Sequence, residues 1–143
     1  MKYLHATAVS LNGLGVLIRG PSGSGKSDLA LRLIGRGARL IADDQVIIEA
    51  VGEKLHLSAP RVTYGLIEVR GLGIVNIGAV KNTWLSLIVN VKLCEEIERM
   101  PEIKRELHEG ISITTIEIDA FHASAPEKIK IALRIQSGEI NLV

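Results

Sequence analysis

Eight consecutive residues carry the clearest chemistry in this chain: Gly20, Pro21, Ser22, Gly23, Ser24, Gly25, Lys26 and Ser27. Their spacing, G-x-x-x-x-G-K-[ST], is that of a phosphate-binding loop. Glycine lets the backbone wrap closely around an anion, so that successive N–H groups point inward at phosphate oxygens. A helix beginning at the end of the loop adds its positive N-terminal end. Lys26 is placed to reach the β- and γ-phosphates of a nucleotide, and the Ser27 hydroxyl to ligate Mg²⁺. At ordinary residue frequencies a chance match arises in on the order of one in a hundred chains of this size. The motif marks a nucleotide-binding protein.

Two further groups could act beside that loop. Asp43 and Asp44 close the apolar run 38–42. A right-handed strand–helix–strand crossover makes this run parallel to the strand that feeds the loop, so both acids emerge at the loop's edge of the sheet. A carboxylate of a phosphoryl-transfer site stands there. A polar turn after a strand also uses Asp, but two acids at this edge favour chemistry. The second group is Glu68 and Arg70, set beside Gly71 and Gly73 in an otherwise apolar run, and burying either charge alone is costly. Two readings stand for it: a functional pair, or a Glu–Arg ion pair on a strand face with the glycines marking a bulge.

The elements that must position these groups follow from periodicity and turn chemistry. Residues 3–10 read as a strand, Asn12-Gly13 as a hairpin turn, and residues 14–19 as the strand entering the loop. The loop strand is then one arm of an antiparallel pair. A helix is expected over 26–36, with Leu29, Ala30, Leu33 and Ile34 on its inner face and Gly35 and Gly37 at its end. Residues 46–50 and 54–58 form a hairpin around Gly52-Glu53, with His56 turned to solvent. Residues 84–91 are a buried strand, and 94–100 a short helix stopped by Pro101. Residues 102–108 read as a further helical turn with His108 exposed, and 111–118 as a strand. The last helix runs from a capping box at Ser124 to about residue 135, and 138–143 read as a final strand.

Composition bounds the rest. A chain of 143 residues supports one domain, and a net charge of +1 excludes a nucleic-acid or anionic-membrane partner recognised by charge alone. No apolar stretch approaches a membrane span and no secretory leader is visible, so a cytoplasmic protein is expected. The single cysteine, Cys94, excludes an internal disulfide and is expected to be a small buried or half-buried side chain.

Taken together, His5, Gly20–Ser27, Ala42-Asp43-Asp44 and the Glu68-x-Arg70-Gly71-x-Gly73 stretch resemble the catalytic domain of HPr kinase/phosphorylase. The resemblance covers most of the chain through about Asn82 and weakens beyond it. It implies an α/β fold, a single phosphate-loop kinase domain over 1–143 with a mixed sheet like that of phosphoenolpyruvate carboxykinase. It implies ATP and Mg²⁺ as cofactors and, as substrate, a serine of an HPr-type phosphocarrier. In that reading Gly20–Ser27 bind ATP, and Ser27 and Glu68 ligate Mg²⁺. Asp44 takes the proton of the substrate serine, His5 stands beside it, and Lys26 steadies the transferred phosphoryl. Asp43, on the other side of the strand, is directed elsewhere by strand alternation. Asp28, Asp43, Arg70, Gly71 and Gly73 support the site.

The resemblance also implies a homo-oligomer, a hexamer, and a short form lacking the family's N-terminal domain. Two departures stand out. Asp28 replaces a glutamate, and the family's arginine-rich late loop is replaced by Ile118–Pro126. Kinase activity therefore carries over better than the reverse phosphorylase activity, and His122 is expected to be an exposed loop residue. Two other functions stay open: a small-molecule or carboxykinase-like kinase, and a nucleotide-gated regulatory protein without transfer chemistry. A small metabolite usually calls for a lid or an arginine cluster, and only Arg61 and Arg70 lie between Arg39 and Arg99.

Overall fold

The structure, a computed structural model, describes residues 1–143. Nine strands form one mixed sheet: β1 (Lys2–His5), β2 (Thr7–Leu11), β3 (Leu14–Arg19), β4 (Arg39–Ala42), β5 (Gln45–Val51), β6 (Lys54–Ser58), β9 (Thr83–Val91), β10 (Lys104–His108) and β11 (Ile111–Ile118). A separate ribbon pairs β7 (Leu66–Val69) with β8 (Gly73–Asn76). Two helices, α1 (Lys26–Gly35) and α2 (Ala125–Gln136), pack together on one face.

The spatial order is β1-β5-β6-β9-β3-β2-β4, with β11 and then β10 branching from β9. The branch is possible because β9 is nine residues long. One edge pairs β6 at Thr83 and Trp84 and then β11 from Leu87 onward, while the other pairs β3 throughout. The β2–β3 hairpin is antiparallel, as the Asn12-Gly13 turn predicts. Strand β2 pairs antiparallel with both β3 and β4, so those two run parallel with β2 between them. The expected common direction holds, although the strands are not neighbours.

Strand alternation divides the apolar side chains between two cores. Val16, Ile18, Leu87 and Val89 face the helices with Leu29, Leu33, Ile129 and Leu133. Leu17 and Ile88 face the other side with Val46, Ile48, Leu55 and Leu57. The expected strand over 3–10 breaks at Ala6, where the chain passes from pairing with β5 to pairing with β3 and β4. Strands β2 and β4 also pack against β5. The sheet therefore curls, and its two ends are joined through Ala6 around the second core.

Several expectations are corrected. Residues 102–108 contain strand β10, which forms a hairpin with β11 across a turn where Glu109 and Gly110 have φ of 51° and 80°. Of residues 94–100 only Cys94–Glu96 form a 3₁₀ turn, and Cys94 is exposed. Residues 138–143 form no strand. Ser124 precedes α2 without a side-chain cap, and Pro126 fills the first turn instead. His56 is half-buried, its ring edge-on to Trp84 at 5.4 Å between centroids. His108 is tucked against Glu106, with 16% of its side chain exposed.

Candidate active site

The phosphate-binding loop leaves β3 and turns directly into α1. Gly25 has φ 93° and caps the helix without a side-chain hydrogen bond, so the first helical N–H groups are not taken up by a cap. A Cβ on Gly25 would lie 3.2 Å from Ala120 Cβ, and one on Gly20 would lie 2.8 Å from Ser24 Oγ. Gly25 needs glycine for its left-handed backbone and for space, and Gly20 for space alone. Lys26 is buried, and its ammonium donates to the carbonyls of Gly20 at 2.8 Å and Pro21 at 3.0 Å, which folds it along the loop. Ser24 Oγ is buried with no hydrogen-bond partner. Uncapped helical amides at the end of a glycine-rich loop are the chemistry of an anion cradle. The loop thus fits the phosphates of a nucleotide on its own geometry.

Around the loop lies a cleft of about 420 Å³, within the usual range of small-ligand sites. Ser22, Gly23, Gly25, Lys26, Ser27 and Asp28 form its floor. His5, Asp44, Glu68 and Arg70 close one side. Gly20, Pro21 and Ser24 belong to the loop's own framework and do not line the cleft. Gly71 and Gly73, with φ 87° and 118°, make the tight turn of the β7–β8 ribbon, which presents Glu68 and Arg70 to the cleft. No ion pair joins Glu68 to Arg70, and the glycines form a turn rather than a bulge, so the paired-charge reading of that stretch is not what is built.

Asp43 is the principal correction. It is buried, and its Oδ1 accepts hydrogen bonds from Ser27 Oγ at 2.7 Å and Thr7 Oγ1 at 3.0 Å. Its Oδ2 accepts from the Glu68 backbone N–H at 3.1 Å. It is not directed away from the site; it ties the loop serine, β2 and the ribbon together. The reason lies in the β2–β4 register, where Ala8 opposes Ala42 but Val9 opposes Leu40. Ile41 is the extra residue of a bulge, and one extra residue reverses every later side chain. Asp44 follows with φ 68°, a left-handed conformation that turns its exposed carboxylate back to the cleft. His5 Nδ1 lies 3.5 Å from Asp44 Oδ1.

The oxygens of Ser27, Asp43 and Glu68 suit a hard cation. Mg²⁺ takes one or two protein ligands and fills its remaining positions with phosphate oxygens and water. No three histidine, cysteine or acidic side chains are placed to hold a metal ion by themselves.

Sequence reasoning missed four lining residues: Thr7, Leu31, Val69 and Phe121. Only Phe121 carried a signal, as a lone phenylalanine in the loop between the strand over 111–118 and the last helix. It also missed Arg32, which donates to the carbonyls of Ala120 and His122 and pairs with Asp28 at 3.0 Å. His122 is partly exposed, 3.8 Å from Asp119.

Comparison with known proteins agrees with this architecture. Residues 1–133 match the family described as HPr Serine kinase C-terminal domain. The chain is 39% identical over 136 residues to HPr kinase/phosphorylase of Clostridium tetani, covering 94% of this chain and 43% of that protein. It is 45% identical over 100 residues to HPr kinase/phosphorylase of an Exiguobacterium species, covering 64% and 32%. It thus spans less than half the length of these relatives. The solved HPr(Ser) kinase/phosphatase of Coxiella burnetii superposes with a TM-score of 0.85 at 26% identity, covering 97% of this chain and 98% of the other.

Proposed function

The chain belongs to the HPr Serine kinase C-terminal domain family, and on that premise we propose that it is an ATP- and Mg²⁺-dependent protein-serine kinase acting on an HPr-type phosphocarrier of the phosphotransferase system. The observation that carries the reading is the shared cleft, in which the phosphate loop faces Asp44, His5 and Glu68. Phosphoryl transfer needs little covalent help from a protein. It needs positioning, charge neutralisation and a carboxylate within reach of the hydroxyl. Asp44 takes the proton of the substrate serine as the new oxygen–phosphorus bond forms and the bond to the nucleoside diphosphate breaks. His5 orients that carboxylate, and Lys26 swings from the loop carbonyls to the transferred phosphoryl. Ser27, whose hydroxyl donates a hydrogen bond to Asp43, and Glu68 would hold Mg²⁺, which would supply charge neutralisation to the phosphates.

The exposed Asp44 leaves the cleft open to a serine carried on another protein. The reverse, phosphorylase-type reaction is expected to be weak, because residues 118–126 contain no arginine. A single catalytic domain over 1–143 and assembly into a hexamer complete the reading. No helix is long and apolar enough to cross a membrane.

Labelled ATP, Mg²⁺ and a purified HPr-type carrier test it. Asp44→Asn is expected to cut label on the carrier serine by about a hundredfold or more, the usual worth of a general base, with ATP binding kept. Undiminished transfer in the variant overturns Asp44 as the base. ATP binding without transfer by the wild-type protein overturns the kinase.

A further inference from the structure

Phe121 also lines the cleft. The sheet order across this region is β11-β9-β3-β2-β4. Asp43 and Asp44 follow β4, Phe121 follows β11, and the phosphate loop follows β3 between them. A nucleotide whose terminal phosphate faces Ser27 and Asp44 therefore has its base on the β11 side. The Phe121 ring stands there. A Cβ built on Gly25 would be 3.3 Å from its Cε1, and Leu31, one turn along α1 from Ser27, adds a second apolar side chain to the wall.

The ring is 66% exposed, so burial does not hold it in place. Polar contacts to its backbone do. Asp119 Oδ1 accepts the Phe121 N–H at 2.9 Å. The Arg32 guanidinium binds the carbonyls on both sides, Ala120 and His122, and is itself paired with Asp28 in the first turn of α1. The loop is thus fastened to the helix whose N-terminus holds the phosphates. An exposed aromatic face on a fixed backbone beside an anion cradle has the form of a stacking surface.

We propose that Phe121 is the platform on which the nucleobase stacks, with Arg32 as the positioning residue that sets its distance from the phosphates. The proposal rests on the nucleotide-binding reading of the loop and goes beyond it in assigning the base subsite. Calorimetric titration of the full chain with ADP and with pyrophosphate, each with Mg²⁺, tests it. Phe121→Ala is expected to weaken ADP about tenfold, the size of one lost base–aromatic stack, and to leave pyrophosphate affinity unchanged. Phe121→Trp restores ADP affinity. Arg32→Ala weakens ADP more than pyrophosphate. Unchanged ADP affinity in Phe121→Ala, or equal loss of both ligands, overturns the platform and leaves the phosphate site standing. Wild-type protein that binds neither ligand overturns the nucleotide reading, and the platform with it.

Discussion

Asp43 and Asp44 are adjacent in sequence and live in opposite surroundings. Asp43 is 7% exposed and accepts from Ser27, Thr7 and the Glu68 backbone, whereas the Asp44 side chain is 80% exposed. Substituting Asn at 43 puts an amide where an acceptor is needed and leaves a buried donor unpaired. Asp43→Asn is therefore expected to lower unfolding stability by about 1–3 kcal/mol, and Asp44→Asn to stay within about 0.5 kcal/mol of the wild type. Urea titration of both variants checks the contrast, and an Asp43→Asn loss within about 0.5 kcal/mol would show that Asp43 holds nothing together. The loop motif and the acids closing the strand over 38–42 are legible because residue type and spacing carry their chemistry, whereas the roles of His5 and Glu68 come only from the family resemblance. The placement of Asp43 is not legible. Alternation along an unbroken strand sends it away, and a bulge at Ile41, which no local pattern announces, brings it back.

Strand β10 raises the same issue for a whole element. Its sequence, Lys104-Arg-Glu-Leu-His108, is rich in good helix formers, and local propensity reads it as helix. Tertiary pairing overrides that preference. The Glu109-Gly110 turn sets a hairpin register, and Arg105 spans the strands to Ser112 at 2.7 Å and Thr114 at 2.8 Å. Glu106 fastens the hairpin to β3 through a bidentate pair with Arg19, at 2.7 and 3.0 Å, one residue before the phosphate loop. Arg19 also donates to Asn90 at 2.9 Å, and His108 packs on the same carboxylate. The Arg19 hydrogen bonds, opposed in part by burial and reinforced by His108, hold the Glu106 carboxyl below its ordinary value of 4.5. A depressed carboxyl stabilises the fold above the unfolded-state value and loses that contribution as pH falls through the lower folded-state value. Glu106→Gln is accordingly expected to be less stable than the wild type at pH 7, by up to about 1 kcal/mol for so exposed a pair. The gap should narrow as pH falls below the ordinary carboxyl value and close as it passes through the lower folded-state value, where the wild-type carboxyl protonates. Denaturant midpoints at pH 7 and pH 3 measure it, and a pH-independent gap would assign the effect to packing instead of charge.

At the scale of the whole molecule, the break at Ala6 connects the fold to the site. Strand β1 pairs with β5 and β2 with β3 and β4, so one continuous segment belongs to both ends of the curled sheet. The Ala6 N–H donates to the Asp44 carbonyl at 3.2 Å, directly where β4 hands over to β5. This closure brings His5 beside Asp44, residues nearly forty positions apart in sequence. The mixed sheet, the helices and the antiparallel arm of the loop strand were readable from periodicity and turn residues. The closure was not, because residues 3–10 alternate as one strand and only long-range pairing divides them. Ala6 is fully buried against the second core, which also holds Ala8, Ile41 and Val46. A larger side chain there has no space without pushing the segment around Ala6 away from Asp44 and the start of β5. Ala6→Leu is therefore expected to cost about 1–3 kcal/mol of stability and, by moving His5 from Asp44, to reduce phosphoryl transfer while nucleotide binding at the loop is kept. Chemical denaturation and the labelled-carrier assay, run on the same preparation, check both effects. Stability within about 0.5 kcal/mol of the wild type would show that the closure is loosely packed and that the histidine–aspartate pair is set by some other contact.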